Sequence, residues 1–162
     1  MIVDGSVQFV GSNERAALAA IAKAAENPEA PVTIALPADS SPGGGGVRLH
    51  VQVGPAAGGR AGDRADVLLA ITEDDLSSNV TGGENAGDRL EHYGVVRELR
   101  VIGRLDAAGS FAADQKVNLG RGWKLDHLRA VVFVQDHSSR AVLGASVLQL
   151  SSLAKPAQAG AD

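Results

Sequence analysis

Five polar side chains that are able to bind a ligand lie between positions 84 and 97 of the chain. They are Glu84, Asn85, Arg89, His92 and Arg97. An arginine can hold a carboxylate through two parallel hydrogen bonds, and a histidine changes its charge near neutral pH. A glycine-punctuated polar stretch here runs into a β-branched segment, which is how loops present functional groups on a packed scaffold. We therefore take these five residues as the candidate ligand-binding set.

The same stretch also fits a structural role. The glycines between positions 82 and 87 allow sharp turns. The side chains of Glu84, Asn85 and Arg89 are able to hold such a loop together through hydrogen bonds to its backbone. Polar loop residues satisfy backbone groups more often than they perform chemistry. The structural role is therefore the favoured interpretation.

No catalytic constellation is recognisable in the sequence. The chain has 0 cysteines, which excludes thiolate nucleophiles and cysteine-ligated zinc. Ser6 and Ser146 lack the Gly-x-Ser-x-Gly elbow of serine hydrolases, and the glycines at 43–46 lack the Gly-Lys-Ser/Thr of a phosphate loop. The 4 histidines do not have the short spacings of metal ligands. We predict no catalytic residue, no metal ion and no cofactor.

The composition limits the possible partners. A net charge of −4 without a cluster of Lys and Arg argues against nucleic-acid binding. No apolar run reaches the roughly 20 residues of a membrane-spanning helix, and the N-terminus does not have the pattern of a signal peptide. The chain, if complete, is therefore expected in the cytoplasm, with a protein or a small ligand as its partner.

The first 28 residues predict a β-hairpin followed by one helix. Asp4-Gly5 separates two short apolar runs and favours a tight turn with positive φ angles. Ser12 or Asn13 can cap a helix that ends before Pro28. The apolar stripe of this helix consists of Leu18, Ile21, Ala24 and Ala25. Two strands and one helix cannot bury their own apolar faces, so we expect these faces to be partly exposed and to promote self-association.

From Pro31 the pattern changes to short strands separated by turns. The predicted strands are Val32–Leu36, Val47–Val53, Val67–Thr72, Val95–Ile102, Phe111–Leu119, Ala130–Val134 and Val142–Leu150. In Val47–Val53 the alternation places four apolar residues inward. Val67–Thr72, Ala130–Val134 and much of Val142–Leu150 are apolar on both faces, which is typical of central strands covered on both sides or by long neighbours. Seven strands with regular turns predict an antiparallel β-sandwich, and the fold class is α+β.

Two segments have alternative interpretations. Val95, Leu99 and Ile102 would also line one face of a helix, but β-branching and the flanking glycines favour a strand with a bulge. Trp123 is either an exposed ring that stacks on a ligand or part of the core, and the low number of aromatic residues favours the core. His137 is expected in a turn between two strands. The segment 37–46 and the tail 154–162 are expected to be mobile.

Several motifs together resemble those of a bacterial family of proteins of unknown function, DUF1223. They are Ile2-Val3-Asp4-Gly5, Phe9-Val10-Gly11-Ser12, Thr72-Glu73-Asp74, Gly83-Glu84-Asn85-Ala86-Gly87, Arg89-Leu90, Val95-Val96-Arg97-Glu98-Leu99, Phe133-Val134-Gln135-Asp136 and Val142-Leu143-Gly144-Ala145. The resemblance implies a secreted or periplasmic envelope protein in which a thioredoxin-like domain precedes a β-rich domain. It also implies that a Cys-x-x-Cys segment lies upstream of the strand that begins this chain.

The resemblance predicts three regions. Residues 1–28 would be the C-terminal ββα remnant of the thioredoxin-like domain, 31–150 the β-sandwich domain, and 151–162 a flexible tail. The leading hypothesis is a non-catalytic module that acts in interaction or supports the redox domain. Two alternatives remain open. One is a part of a thiol-disulfide oxidoreductase, and the other is a sandwich that binds carboxylates or sugars through Arg89, His92 and Trp123.

Overall fold

The structure, a computed structural model, describes residues 1–27, 29–37, 46–55 and 65–153. It contains eleven strands in these ranges: β1 (Ile2–Val3), β2 (Val7–Gln8), β3 (Val32–Ala35), β4 (Gly46–Val53), β5 (Ala65–Glu73), β6 (Leu76–Asn79), β7 (Arg89–His92), β8 (Val95–Arg104), β9 (Phe111–Asn118), β10 (Leu128–Asp136) and β11 (Val142–Gln149). One α-helix, α1, spans Glu14–Ala24, and two short 3-10 helices span Leu125–His127 and Leu150–Leu153. The fold is therefore mostly β with antiparallel sheets, in agreement with the α+β class. The segment 38–45 and the tail 154–162 lie outside the described residues.

The first hairpin and helix form where the sequence predicts them. Asp4 and Gly5 have φ angles of 45° and 67°, as the Asp-Gly turn requires. Asn13 caps α1, because its Oδ1 accepts a hydrogen bond of 3.1 Å from the Ala16 backbone N–H. The alanine face of α1, which includes the buried Ala17, turns inward, and Leu18 and Ile21 remain 61% and 50% exposed. The expected exposure of the apolar stripe is confirmed for these two residues.

The core lies between two antiparallel sheets. Their strand orders are β11-β10-β5-β8 and β3-β4-β9. Val47, Leu49, Val51 and Val53 of β4 are buried, as the alternation predicts, and they belong to one hydrophobic cluster with the inward residues of β5 and β10. Antiparallel strands with a buried face and a solvated face normally produce this alternation.

The strand β8 lies at the edge of the four-stranded sheet and is irregular. Its register with β5 shifts twice, which leaves Arg97 and Ile102 as extra residues that have no partner on β5. The predicted strand with a bulge at Val95–Ile102 is thus confirmed, and the helical alternative is wrong. Arg100 of β8 donates to the Gln115 side chain at 3.1 Å and to the Lys116 carbonyl at 2.8 Å. Because both acceptors lie on β9, Arg100 ties the edges of the two sheets together.

The opposite side of the two sheets is joined by the main chain. The Ala30 N–H, just before β3, donates to the Leu143 carbonyl of β11 at 2.7 Å. The strand β11 is an edge strand of its own sheet. Our expectation that Val142–Leu150 is a central strand was wrong, because among the described residues this strand pairs with β10 alone.

A second difference concerns the segment before β8. Predicted as a polar loop, it forms the hairpin β6–β7, in which Asn79 pairs with Arg89 and Leu76 pairs with His92. The hairpin makes a two-stranded sheet of its own. Its strands are short and polar, so they carry no strong alternation, and this explains why the sequence did not reveal them. In the described residues no helix is long and apolar enough to cross a membrane.

Candidate functional site

The predicted ligand-binding residues occupy two separate places. Glu84 and Asn85 are exposed at the tip of the β6–β7 hairpin, and Arg89 and His92 are the first and last residues of β7. Arg97 instead lies in β8, at the first of its two irregularities. The structure therefore places Glu84 and Asn85 apart from Arg97, whose partner comes from a different strand.

The tip of the hairpin is closed by its main chain. The Val80 N–H donates to the Asp88 carbonyl and the Gly87 N–H donates to the Val80 carbonyl, both at 2.9 Å. Gly83 and Gly87 have φ angles of 84° and 98°, which glycine adopts readily. This geometry agrees with the predicted use of the glycines for sharp turns.

The base of the hairpin contains a small pocket. It has a volume of about 130 Å³, and its lining includes Arg89, Glu91, Tyr93 and Asp75. Acidic neighbours, first Glu91 and then Asp75, raise the pKa of Tyr93 above its ordinary value of 10.0. On the other side of β7, His92 Nε2 lies 2.8 Å from the Ser78 hydroxyl oxygen. Arg89 and His92 thus have different surroundings, and Arg89 is the member of the set that faces this pocket.

A buried carboxylate, Glu73, forms the second and more enclosed site. Its exposure is 1%, and it is the buried charged residue of the described part of the chain. Glu73 Oε1 accepts a hydrogen bond of 3.1 Å from the Lys124 backbone N–H, and Oε2 lies 2.8 Å from Arg97 Nε. The second contact has the distance of an ion pair, but Oε2 accepts no hydrogen bond of good geometry from the described residues. Glu73 is therefore held by one main-chain hydrogen bond and one charge.

Arg97 lies at the first irregularity of β8, close to Glu73. Thr72 of β5 pairs with Val96 and Ile71 pairs with Glu98, so Arg97 is inserted between two paired residues. Val95, two residues earlier, pairs with Glu73, so the alternation of β8 places Arg97 on the same face as Glu73. Glu73 itself is on the inward face of β5, at its last position. The pairing of β8 with β5 thus brings the charge of an edge strand to the end of the core.

Trp123 completes this site. The guanidinium carbon of Arg97 lies 5.6 Å from the centre of the Trp123 ring, within the range of a cation–π interaction. The ring is partly buried against the hydrophobic core, in agreement with the core interpretation. Gly120 allows this position, because a Cβ at Gly120 would lie only 2.5 Å from ring atoms of Trp123. We call Glu73, Arg97, Trp123 and the Lys124 backbone the Glu73 site.

A further ion pair fixes the chain next to this site. Asp74 accepts a hydrogen bond of 2.8 Å from the Gly94 N–H at the start of β8 and pairs with the Arg129 guanidinium of β10. His127 lies 3.6 Å from the Asp75 carboxylate. The end of β5 is therefore linked by polar contacts to both neighbouring strands.

The Glu73 site is suited to holding structure together. The carboxylate binds the backbone of the segment before the 3-10 helix, while Arg97 neutralises it and covers Trp123. In the described part of the chain, no serine, threonine or histidine side chain forms a hydrogen bond or an ion pair with Glu73. Sequence reasoning named Arg97 and Trp123 but missed Glu73. The signal was present, because continuing the alternation of β5 places residue 73 inward, where a carboxylate needs a partner.

The predicted turn between β10 and β11 is present. His137 lies in the turn between β10 and β11, as expected, and its Nε2 is 3.1 Å from Asp66. Asp136 Oδ1 accepts hydrogen bonds from the Ser138 and Ser139 backbone N–H groups and from the Ser139 hydroxyl. The contacts with Ser139 are the main reason that the pKa of Asp136 lies below its ordinary value of 3.8.

Comparison with known proteins places the chain in a family. No curated protein matches it with significant similarity. Among solved structures, the chain is similar to a domain of the outer membrane lipoprotein Omp28 from Porphyromonas gingivalis, with 15% identity, a TM-score of 0.39, and coverage of 76% of this chain and 91% of that one. The profile of a family described as "Protein of unknown function (DUF1223)" matches residues 1–135. Because this match extends over most of the sequence, the chain belongs to the DUF1223 family.

Proposed function

We propose that the chain is a non-catalytic interaction module of a thioredoxin-like envelope protein. In this proposal residues 1–28 are the ββα end of the thioredoxin-like domain, 31–150 form the β-sandwich domain, and 151–162 are a tail. The location is periplasmic or secreted, and the support for it is the family resemblance. The observation that carries the proposal is the exposed apolar surface of the first hairpin and helix.

The first hairpin and helix expose an unusual number of large apolar side chains to solvent. These side chains are Met1, Ile2, Val7, Val10, Leu18 and Ile21. Scattered apolar residues are normal on a protein surface, and the support for an interaction site here is that six large ones belong to this one small unit. We call this the hairpin–helix patch.

The hairpin and helix that carry this patch have little intrinsic stability. Strands β1 and β2 pair with each other as a separate two-stranded sheet, and such a hairpin is marginal in water. The unit contacts the sandwich through the hairpin turn, where the Val142 N–H donates to the Asp4 carbonyl at 2.9 Å. Additional strands or helices from a thioredoxin-like remainder would supply the missing cover for both the sheet and α1.

The inner charges support the non-catalytic part of the proposal. Glu73 is paired with Arg97, and Asp74 with Arg129. Buried acidic side chains in catalytic sites generally lie next to a nucleophile, a substrate cavity or a second titrating group. Here their partners are arginines and backbone N–H groups, which hold the end of β5 in place.

The decisive experiment is the intact mass of the native protein together with the compartment from which it is isolated. We expect an envelope species that is roughly 8–10 kDa heavier than the chain, the size of the remainder of a small domain. A cytoplasmic species of 16.5 kDa would overturn the proposal. A second measurement tests the module alone. Because the chain has 0 cysteines, it should not catalyse reduction of insulin by dithiothreitol, and turnover in this assay would contradict the non-catalytic assignment.

A further inference from the structure

Residues 1–27, which we call the hairpin–helix unit, are held next to the start of β11 by two main-chain contacts. In the first, the Val142 N–H donates to the Asp4 carbonyl at 2.9 Å. In the second, the Ala30 N–H, just after the unit, donates to the Leu143 carbonyl at 2.7 Å. The same short segment of the sandwich therefore receives both the turn of the first hairpin and the chain that leaves α1.

Each contact is a close approach of two backbones that a glycine permits. A Cβ at Gly5 would overlap the carbonyl oxygen of Arg140, and a Cβ at Gly144 would overlap the carbonyl oxygen of Ala30. A residue with a side chain therefore fits at neither position unless the main chain moves. Two such approaches within residues 140–144 indicate a built docking surface.

The turn that receives Gly5 is held in its conformation by groups of the sandwich. Asp136 Oδ1 accepts hydrogen bonds from the Ser138 and Ser139 N–H groups, and the Asp136 carbonyl accepts one from the Arg140 N–H. Gln135 Nε2 donates to the Arg140 carbonyl at 2.9 Å. Arg140 has a φ angle of 65°, which a non-glycine residue keeps only where its surroundings fix it. The Arg140 carbonyl is thus positioned independently of the hairpin.

The two contacts differ in how firmly they are anchored. Ala30 is 2% exposed and belongs to the hydrophobic core cluster of the sandwich. Asp4 and Gly5 are exposed, and that cluster includes no residue of the hairpin–helix unit. A contact that buries few apolar groups opens at a lower free-energy cost than a contact in the core. The contact at Asp4 and Gly5 is therefore the one that opens first.

We propose that the contact of Asp4 and Gly5 with Arg140 and Val142 is a releasable latch, and that Ala30 is the pivot about which the released unit turns. The closed latch fixes the orientation of the hairpin–helix unit on the sandwich. The open latch leaves the unit attached at Ala30 and free to reorient, as in a hinge motion. The inference goes beyond the proposed function, because it concerns how the unit is held on the sandwich and does not depend on what precedes residue 1.

Amide hydrogen exchange tests the latch and the pivot separately, because the Val142 amide reports on the first and the Ala30 amide on the second. The variant Gly5→Asn places a Cβ against Arg140, and asparagine tolerates a left-handed φ angle. We expect the protection of the Val142 amide to fall by about tenfold or more, while the protection of the Ala30 amide is unchanged. The nuclear Overhauser contact between the paired residues Val3 and Val7 should persist and show that the hairpin is intact.

Gly94→Asn is the matched control. Gly94 has a φ angle of 64°, close to the 67° of Gly5, but nothing lies within 4 Å of its Cβ position. The control thus places the same demand on the backbone without the overlap. The Val142 amide should keep its protection in this variant.

A distance between two spin labels tests the reorientation of the unit. The chain has 0 cysteines, so Leu18→Cys on α1 and Val101→Cys on β8 provide two unique labelling positions. Both side chains are exposed, at 61% and 53%. Electron paramagnetic resonance should give a narrow distance distribution with Gly5 in place and a broader distribution after Gly5→Asn.

Four results would overturn the proposal. Unchanged protection of the Val142 amide in Gly5→Asn would show that this contact is not a latch. An equal loss of protection in Gly94→Asn would assign the effect to backbone strain. Loss of the Ala30 protection or of the contact between Val3 and Val7 would mean that the unit unfolds or detaches as a whole. An unchanged label distance would show that the unit does not turn about Ala30.

Discussion

Arg97 Nε lies 2.8 Å from Glu73 Oε2, and Arg97 is the extra residue of a bulge in β8. A side chain that is 32% exposed thus neutralises a carboxylate that is 1% exposed. The ion pair compensates for the alternation of β5, which carries Glu73 into the end of the core. Stability at this end of the sandwich should depend on the pair.

The variant Glu73→Gln tests this dependence. Glutamine keeps an acceptor for the Lys124 N–H but removes the charge opposite Arg97. Loss of a charge-assisted contact at a buried group costs about 1–3 kcal/mol, and the partial exposure of Arg97 favours the lower half of this range. Urea unfolding would measure the change. Asp114→Asn is the matched control, because its pair with His50 is well exposed and should change stability by about 0.5 kcal/mol or less. Equal effects of the two substitutions would contradict a structural role for Glu73.

Gly120→Ala should displace the Trp123 ring. The new Cβ would come within 2.5 Å of ring atoms that pack on the core, and overpacking of this kind costs about 1–3 kcal/mol. The chain has 1 tryptophan, so its fluorescence emission reports on this ring alone and should shift. Gly11→Ala provides the control, since nothing lies within 4 Å of its Cβ position. An unaltered emission spectrum in Gly120→Ala would show that the ring is not held as described.

The single tyrosine should titrate above its ordinary range. The negative charges of Glu91 and Asp75 raise the pKa of Tyr93, and the Glu91 carboxylate also accepts a hydrogen bond from its hydroxyl at 3.3 Å. Since Glu91 is the largest cause, Glu91→Gln should return the pKa towards 10.0. Absorbance at alkaline pH measures this directly because the chain has 1 tyrosine. Glu84→Gln, at the distant hairpin tip, should leave the titration unchanged, and an equal shift in both variants would argue against a local cause.

The turn after β10 should contribute acid sensitivity. The pKa of Asp136 is lower in the folded chain than its ordinary value of 3.8, chiefly through the hydrogen bonds from Ser139. A lowered folded pKa means that the contribution to stability is present above the unfolded pKa and is lost as the pH falls through the folded pKa. Unfolding measured from pH 6 to pH 2 should therefore show a smaller loss of stability for Asp136→Asn than for the unaltered chain. Identical pH profiles would rule out this contribution.

The candidate ligand-binding set remains a prediction in its original form. Arg97 is now accounted for by its contact with Glu73, and Arg89 lines the pocket beside Tyr93. Arg89 shares this pocket with the carboxylates Glu91 and Asp75, which would oppose an anionic ligand. Ligand titrations of this hypothesis should therefore use Arg89 variants and not Arg97 variants, which would also disturb the core.

The sequence by itself determined the local elements of this protein. The Asp4-Gly5 turn, the Asn13 cap and the alternation of β4 depend on neighbouring residues only, so their patterns could be interpreted directly. The apolar character of β5 and β10 on both faces was equally visible. It did not show which face the second sheet covers.

Only the tertiary structure decided how these elements meet. The edge position of β11, the β6–β7 hairpin and the pairing of Arg97 with Glu73 all depend on contacts between residues distant in sequence. The physical reason is that strand order and register are fixed by the partner strands and not by the strand itself. Glu73 and Arg97 are 24 positions apart, and only the alignment of β5 with β8 brings their charges together.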